Sequence, residues 1–120
     1  MKLYATDISS TDGINQLLSF ALWDEKQFYG IGFIKDETDK NRIELMVSDQ
    51  SVYDLKDASI LFAADYFELR LKDGTIRSAD GEDIYQIYYE RLTNEKYRQM
   101  KRVLMELTEQ RDDIKVEYSQ

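Results

Sequence analysis

Histidine, cysteine and proline are all absent from this 120-residue chain. Each absence removes a class of chemistry. Without histidine there is no imidazole to shuttle protons near neutral pH or to ligate a metal. Without cysteine there is no thiolate nucleophile, no soft metal ligand and no disulfide. A disulfide-free chain fits a reducing compartment, so the expected location is the cytoplasm. Without proline, against a usual content of about 5%, there is no ring-locked turn and no prolyl cis–trans switch. Long apolar runs are missing too, and none approaches the roughly 20 residues that span a bilayer. Residues 1–7, Met1-Lys2-Leu3-Tyr4-Ala5-Thr6-Asp7, meet an acid at position 7, and no signal peptide is expected there.

What the chain does have is acid. Its 24 aspartates and glutamates face 16 lysines and arginines, for a net charge of -8. Phosphate recognition needs a basic footprint, so nucleic acid is not an expected partner. Anionic membranes are disfavoured by the same repulsion. The expected partner is therefore a basic protein surface, although solubility alone also accounts for an acidic composition. The hydrophobic fraction of 42% fits an ordered globular protein. At this length one domain, residues 1–120, with one core is expected.

The pattern reads as strands first and a helix last. Strands are expected at 3–8, 16–23, 28–34, 42–48, 59–63, 66–72 and 84–91, with 75–77 pairing back briefly. The cleanest alternation is at 42–48, with Ile43, Leu45 and Val47 inward. The stretch 49–57 reads as irregular. Asp73-Gly74 is a turn signal. Thr93 offers an N-cap, with Glu95 in the first turn. Tyr97, Met100, Val103, Leu104 and Leu107 recur at three- and four-residue steps, which predicts an amphipathic helix over about 94–111. Residues 112–120 form a short tail, either a strand or frayed. The expected fold class is α+β: a curved, mainly antiparallel sheet of about six strands with one C-terminal helix packed on it.

Catalytic signals are incomplete. Gly30-Ile31-Gly32 lacks the third glycine and the following helix of a dinucleotide fingerprint. It reads better as a bare strand face that a neighbour approaches closely. Asp36-Glu37-Thr38-Asp39-Lys40-Asn41 lacks the sixth-position glycine and the terminal glutamate of a calcium loop, and Asp80-Gly81-Glu82-Asp83 is similarly incomplete. No G-x-S-x-G or S-x-x-K pattern occurs. No enzyme activity, no metal and no cofactor are expected. The tyrosines of 84–91 divide by alternation: Tyr85 and Tyr89 share a face with Ile87, and Tyr88 lies opposite, beside Gln86 and Glu90. The first two read as core, and Tyr88 is the better candidate for an exposed binding tyrosine. Lys96, Arg98, Lys101 and Arg102 make a basic helix face that reads as solvated.

Several fragments carry a resemblance. Ile43-Glu44-Leu45-Met46-Val47-Ser48-Asp49-Gln50-Ser51-Val52-Tyr53 precedes the hairpin of 58–72. The strand of 84–90 and the helix entry Leu92-Thr93-Asn94-Glu95-Lys96-Tyr97 follow. Over residues 42–108 this order resembles the bacterial immunity protein 10 family. The resemblance implies a cytosolic antidote that binds a cognate toxin domain of a polymorphic or contact-dependent toxin system, with no catalytic motif to carry over. Together with the charge, it makes the acidic segments the expected interface: Asp36, Glu37, Asp39, Asp80, Glu82 and Asp83, then Tyr53, Asp54 and Asp57. Three alternatives stand beside it: a phage- or plasmid-borne acidic inhibitor that mimics nucleic acid, a small carboxylate-based enzyme or ligand-binding domain, and a subunit of a larger assembly.

Overall fold

Alternation of apolar and polar residues decides most of the architecture. The computed structural model describes residues 2–11, 17–24, 27–35, 42–47, 51–71 and 84–119. Within them run β1 (Lys2–Thr11), β2 (Leu17–Asp24), β3 (Gln27–Lys35), β4 (Ile43–Val47), β5 (Ser51–Asp54), β6 (Ala58–Ala63), β7 (Tyr66–Leu71), β8 (Ile84–Tyr88), α1 (Asn94–Thr108) and β9 (Ile114–Ser119). They form one sheet in the order β5-β4-β3-β2-β1-β8-β7-β6-β9. The class is α+β with a C-terminal helix, as expected. Among the described residues the sheet has nine strands rather than about six, and it is mixed. β1 runs parallel to β8, and β6 runs parallel to β9. The other neighbours are antiparallel.

One strand differs from the sequence expectation, and another settles an alternative left open. Residues 51–54, read as irregular, pair with β4. The C-terminal tail pairs with β6 along six residues. A short strand draws its stability from its partner, and neither segment's own pattern shows that partner. Residues 75–77 lie outside the described residues.

β1 joins the two halves of the sheet. Its first residues pair with β8, and Ala5 to Thr11 pair with β2, with a register shift between Ala5 and Asp7. Such a bulge bends a strand and increases its twist. The sheet is correspondingly curled. β3 and β7 are four steps apart, about 19 Å in a flat sheet at about 4.8 Å per step. Yet the rings of Phe33 on β3 and Phe67 on β7 have centroids 5.7 Å apart. The inner face therefore closes on itself, and one core runs from Ile31, Phe33, Ile43 and Leu45 to Phe62, Phe67, Leu69, Tyr85 and Ile87.

α1 covers that inner face. Thr93 is the N-cap, its hydroxyl accepting from the Lys96 amide at 3.2 Å. Tyr97, Met100, Val103, Leu104 and Leu107 are all buried, as the helical spacing predicts. Since β8 and β9 run in the same direction, the chain needs a crossover, and α1 supplies it. A polar clasp then locks the α1–β9 turn to the β5–β6 turn. Arg111 donates through Nε to Asp113 Oδ1 at 3.0 Å, and through a terminal nitrogen both to Asp113 Oδ2 at 2.9 Å and to the Leu55 carbonyl at 2.7 Å. The Asp57 amide donates to the same carboxylate at 2.9 Å. Asp57 has φ of 48°, a left-handed value that aspartate tolerates better than most residues. Among the described residues, no helix is long and apolar enough to cross a membrane.

Candidate interaction surface

The side of the sheet away from α1 carries the most distinctive chemistry. β7 sends Phe67, Leu69 and Leu71 to the core and leaves Tyr66, Glu68 and Arg70 on the outer face. β8 buries Tyr85 and Ile87 and leaves Ile84, Gln86 and Tyr88 outside. β1 adds Lys2 and Tyr4 through its parallel pairing with β8.

Register arranges these residues in rows across the strands. Tyr4, Tyr88 and Tyr66 form the first row. Lys2, Gln86, Glu68, Leu61 and Glu117 form the second. Ile84, Arg70, Ser59 and Lys115 form the third. An aromatic row, a row holding two carboxylates and a row holding two cations thus lie side by side.

The aromatic row is continuous. Tyr4 stacks on Tyr88 with centroids 5.6 Å apart, and Tyr88 meets Tyr66 at 4.9 Å. Tyr4 is 67% exposed, so much of a large amphipathic ring faces solvent. Behind the row, Glu68 is held from three sides. Tyr66 donates its hydroxyl to Oε1 at 2.6 Å, Gln86 Nε2 donates to Oε1 at 3.4 Å, and Arg70 Nε donates to Oε2 at 2.7 Å. The Glu68 side chain is 13% exposed, whereas that of Arg70 is 58% exposed. The Arg70 guanidinium holds the Glu68 carboxyl below its ordinary range, against the opposing effect of burial. Burial, with the Glu68 hydrogen bond second, pushes the Tyr66 hydroxyl up to about 12. The surface therefore keeps a fixed, ionised carboxylate beside a neutral Tyr66 hydroxyl at neutral pH.

This chemistry suits recognition. Tyrosine contributes large area at low entropic cost and is enriched where binding energy concentrates. Among the described residues, no three acidic side chains converge as metal ligands would.

The residues expected at the interface fall into two groups. Asp36, Glu37, Asp39, Asp80, Glu82 and Asp83 lie outside the described residues. Tyr53 and Asp54 sit on the edge strand β5, and Asp57 sits in the turn before β6. Tyr53 is half-buried against the core. Asp54 is exposed and accepts a hydrogen bond from Arg42 Nε. Asp57 serves the Arg111–Asp113 clasp through its backbone. These three are near one another in the chain, but they do not adjoin the tyrosine row.

Charge is also unevenly divided along the sequence. Segments 12–16, 36–41, 48–50 and 72–83 hold Asp12, Asp36, Glu37, Asp39, Asp49, Asp73, Asp80, Glu82 and Asp83 against Lys40, Lys72 and Arg77. Most of the acidic excess belongs to these segments. The described residues are close to balanced.

The helix face is mixed as well. Lys101 lies 5.0 Å over the Tyr118 ring, and Lys35 Nζ donates to the Glu106 carbonyl at 3.4 Å. Arg98, Lys101, Arg102, Met105, Glu106 and Glu109 line a shallow groove of about 350 Å³.

Of the tyrosines, Tyr85 is fully buried, and Tyr89 is half-buried with its hydroxyl donated to the Ala63 carbonyl at 2.7 Å. Both match the core reading, and Tyr88 faces outward as alternation requires. Sequence reasoning did not find Tyr4, Tyr66, Glu68 or Arg70. Alternation within 66–72 marks Tyr66, Glu68 and Arg70 as one face, but nothing local brings Tyr4 to Tyr88 from 84 positions away in the chain. No family model, curated protein or solved structure matches this chain.

Proposed function

We propose that this chain is a binding protein that neutralises a cognate toxin domain, most simply a nuclease, in the cytoplasm of the cell that makes it. One observation supports it above the rest: a row of three tyrosines on the outer sheet face, with Tyr88 touching both Tyr4 and Tyr66, left uncovered by the described residues and backed by a fixed carboxylate. Surfaces of this composition carry binding energy in protein complexes. That the partner is a toxin domain comes from the resemblance over residues 42–108 to the immunity protein 10 family; that it is a nuclease comes from the acidic charge.

The acidic excess has a separate job in this reading. A nuclease presents basic residues to phosphate. The segments holding Asp36, Glu37, Asp39, Asp80, Glu82 and Asp83 raise the encounter rate with such a surface. The tyrosine row then sets how long the complex lasts.

Co-expression with the product of the adjacent upstream gene is the direct test. The expected result is a complex that survives size-exclusion chromatography and rescue of growth by this chain. Free elution of the two proteins at low salt, with no rescue, would overturn the proposal.

A further inference from the structure

We infer that the outer face of α1 is a self-association surface, on which the same helix of a second copy of this chain lies antiparallel. This pairing uses the side of the sheet away from the tyrosine row, and it holds whether or not a toxin domain is the other partner.

Helical geometry sets the face. Tyr97, Met100, Val103, Leu104 and Leu107 point into the core. On the opposite side Arg98, Arg102, Met105 and Glu109 are all exposed. At about 100° per residue, these four fall within about 60° of one another and make a single stripe. Glu109 is the C-cap and keeps helical dihedrals, with φ of -59° and ψ of -28°, so the stripe continues through it. Met105, 51% exposed, puts an apolar side chain near its middle. Lys101 and Glu106 flank the stripe, and all six residues line the shallow groove.

The order of the residues selects the occupant. Positions 98, 102, 105 and 109 are separated by steps of four, three and four, so the stripe reads the same from either end. An antiparallel copy turned about the midpoint between 103 and 104 therefore sets each position opposite a complementary one. Arg98 faces Glu109 of the copy, Lys101 faces its Glu106, and Arg102 lays its methylene stem over its Met105. Twofold symmetry makes every such pair twice. A parallel copy would instead set Arg98 against Arg98 and Glu109 against Glu109.

Charge permits the approach here. Two molecules that each carry -8 repel on average. Residues 94–109, however, hold Lys96, Arg98, Lys101 and Arg102 against Glu95, Glu106 and Glu109, so this face has no acidic excess. Among the described residues, no ion pair within the chain uses Arg98 or Glu109. Both charges are thus open to a copy. Because the tyrosine row lies on the other side of the sheet, the paired molecule keeps two such rows uncovered by α1.

Sedimentation velocity on the whole chain, from about 10 μM to about 500 μM, reads the association directly. A contact through one helix is small, so the expected result is a weak dimer that grows with concentration and fades in high salt. Arg98→Glu and Glu109→Arg should each weaken it about tenfold, because each puts two like-charged pairs across the contact. Both positions are exposed, and circular dichroism checks that each variant keeps its helix. Mixed one to one, the two single variants should associate with each other, since one presents carboxylates wherever the other presents cations. The double variant, Arg98→Glu with Glu109→Arg, should self-associate as the unaltered chain does. An unaltered chain that stays monomeric throughout overturns the inference. So does a dimer that either single variant leaves intact or strengthens, or a mixture of the two that stays monomeric.

Discussion

The two faces of the β7–β8 pair use the same residue types to opposite ends. On the inner face Tyr85 and Phe67 are fully buried beneath α1 and hold the fold together. On the outer face Tyr66, Tyr88 and Tyr4 touch one another and remain uncovered by the described chain. The backbone between the two sets is shared, residue by residue. Composition therefore does not separate a structural tyrosine from a recognition tyrosine. The parity of its position on the strand does, together with what lies above each face.

Substitutions on either side of one strand test this contrast most strongly. Phe67→Ala, a large-to-small change in the core, should cost about 3–5 kcal/mol in chemical denaturation. Tyr4→Ala, on the open row, should change stability by no more than about 0.5 kcal/mol. Comparable losses from the two would mean that the outer face is a second structural layer, and the contrast would fail.

Binding should reverse the order. Under the proposed function, Tyr88→Ala should weaken the toxin complex by about 2 kcal/mol, mainly through faster dissociation, while leaving the fold largely intact. Surface plasmon resonance on the purified partner reads this. An unchanged dissociation rate would move the interface elsewhere.

The rim of the covered face offers a pH test. Arg111 and the Asp57 amide hold the Asp113 carboxyl down at about 2. A carboxyl depressed in the folded state contributes stability above its unfolded value, near ~3.9, and loses it as pH falls through the folded one. The contribution is thus present at neutral pH and disappears between about pH 4 and 2. Asp113→Asn should remove about 1 kcal/mol at neutral pH, discounted for partial exposure, and should flatten the acid limb of the stability profile. An unchanged slope between pH 4 and 2 would show that the clasp is not what holds the α1–β9 turn. At the other end of the helix, Thr93→Ala should cost about 1 kcal/mol, measurable as a lower midpoint of urea unfolding with an unchanged slope.

The smallest effect belongs to the acidic segments. Charge reversal at Asp36 and Asp39 should slow association with the toxin about threefold at low salt and leave dissociation alone. The difference should vanish in high salt. A change in dissociation instead would place those residues inside the contact rather than around it.

Much of this molecule is readable from local pattern. Alternation at 42–48, 66–72 and 84–90 places Leu45, Phe67 and Ile87 inside, and they are inside. The steps from Tyr97 to Leu107 and the cap at Thr93 locate the helix. Residues 51–54 escape the same reasoning and 114–119 stay undecided by it, because each short strand is stabilised by hydrogen bonds to a partner rather than by its own preference. The candidate surface was half legible for the same reason. Tyr88 could be assigned outward from its own strand. Its neighbours could not, since Tyr4 and Tyr66 reach it through pairings between segments far apart in sequence.

Periodicity and charge belong to the chain alone: which residues can share a strand face, where a helix can start, and how acidic the whole must be. They follow from bond geometry and side-chain chemistry that each residue carries with it. Which strands become neighbours, that β1 lies beside β8 and β9 beside β6, is decided by burying one common core, and that is a collective property of the folded state. The tyrosine row with its carboxylate exists only at that level, because three strands must align before three rings and Glu68 can meet.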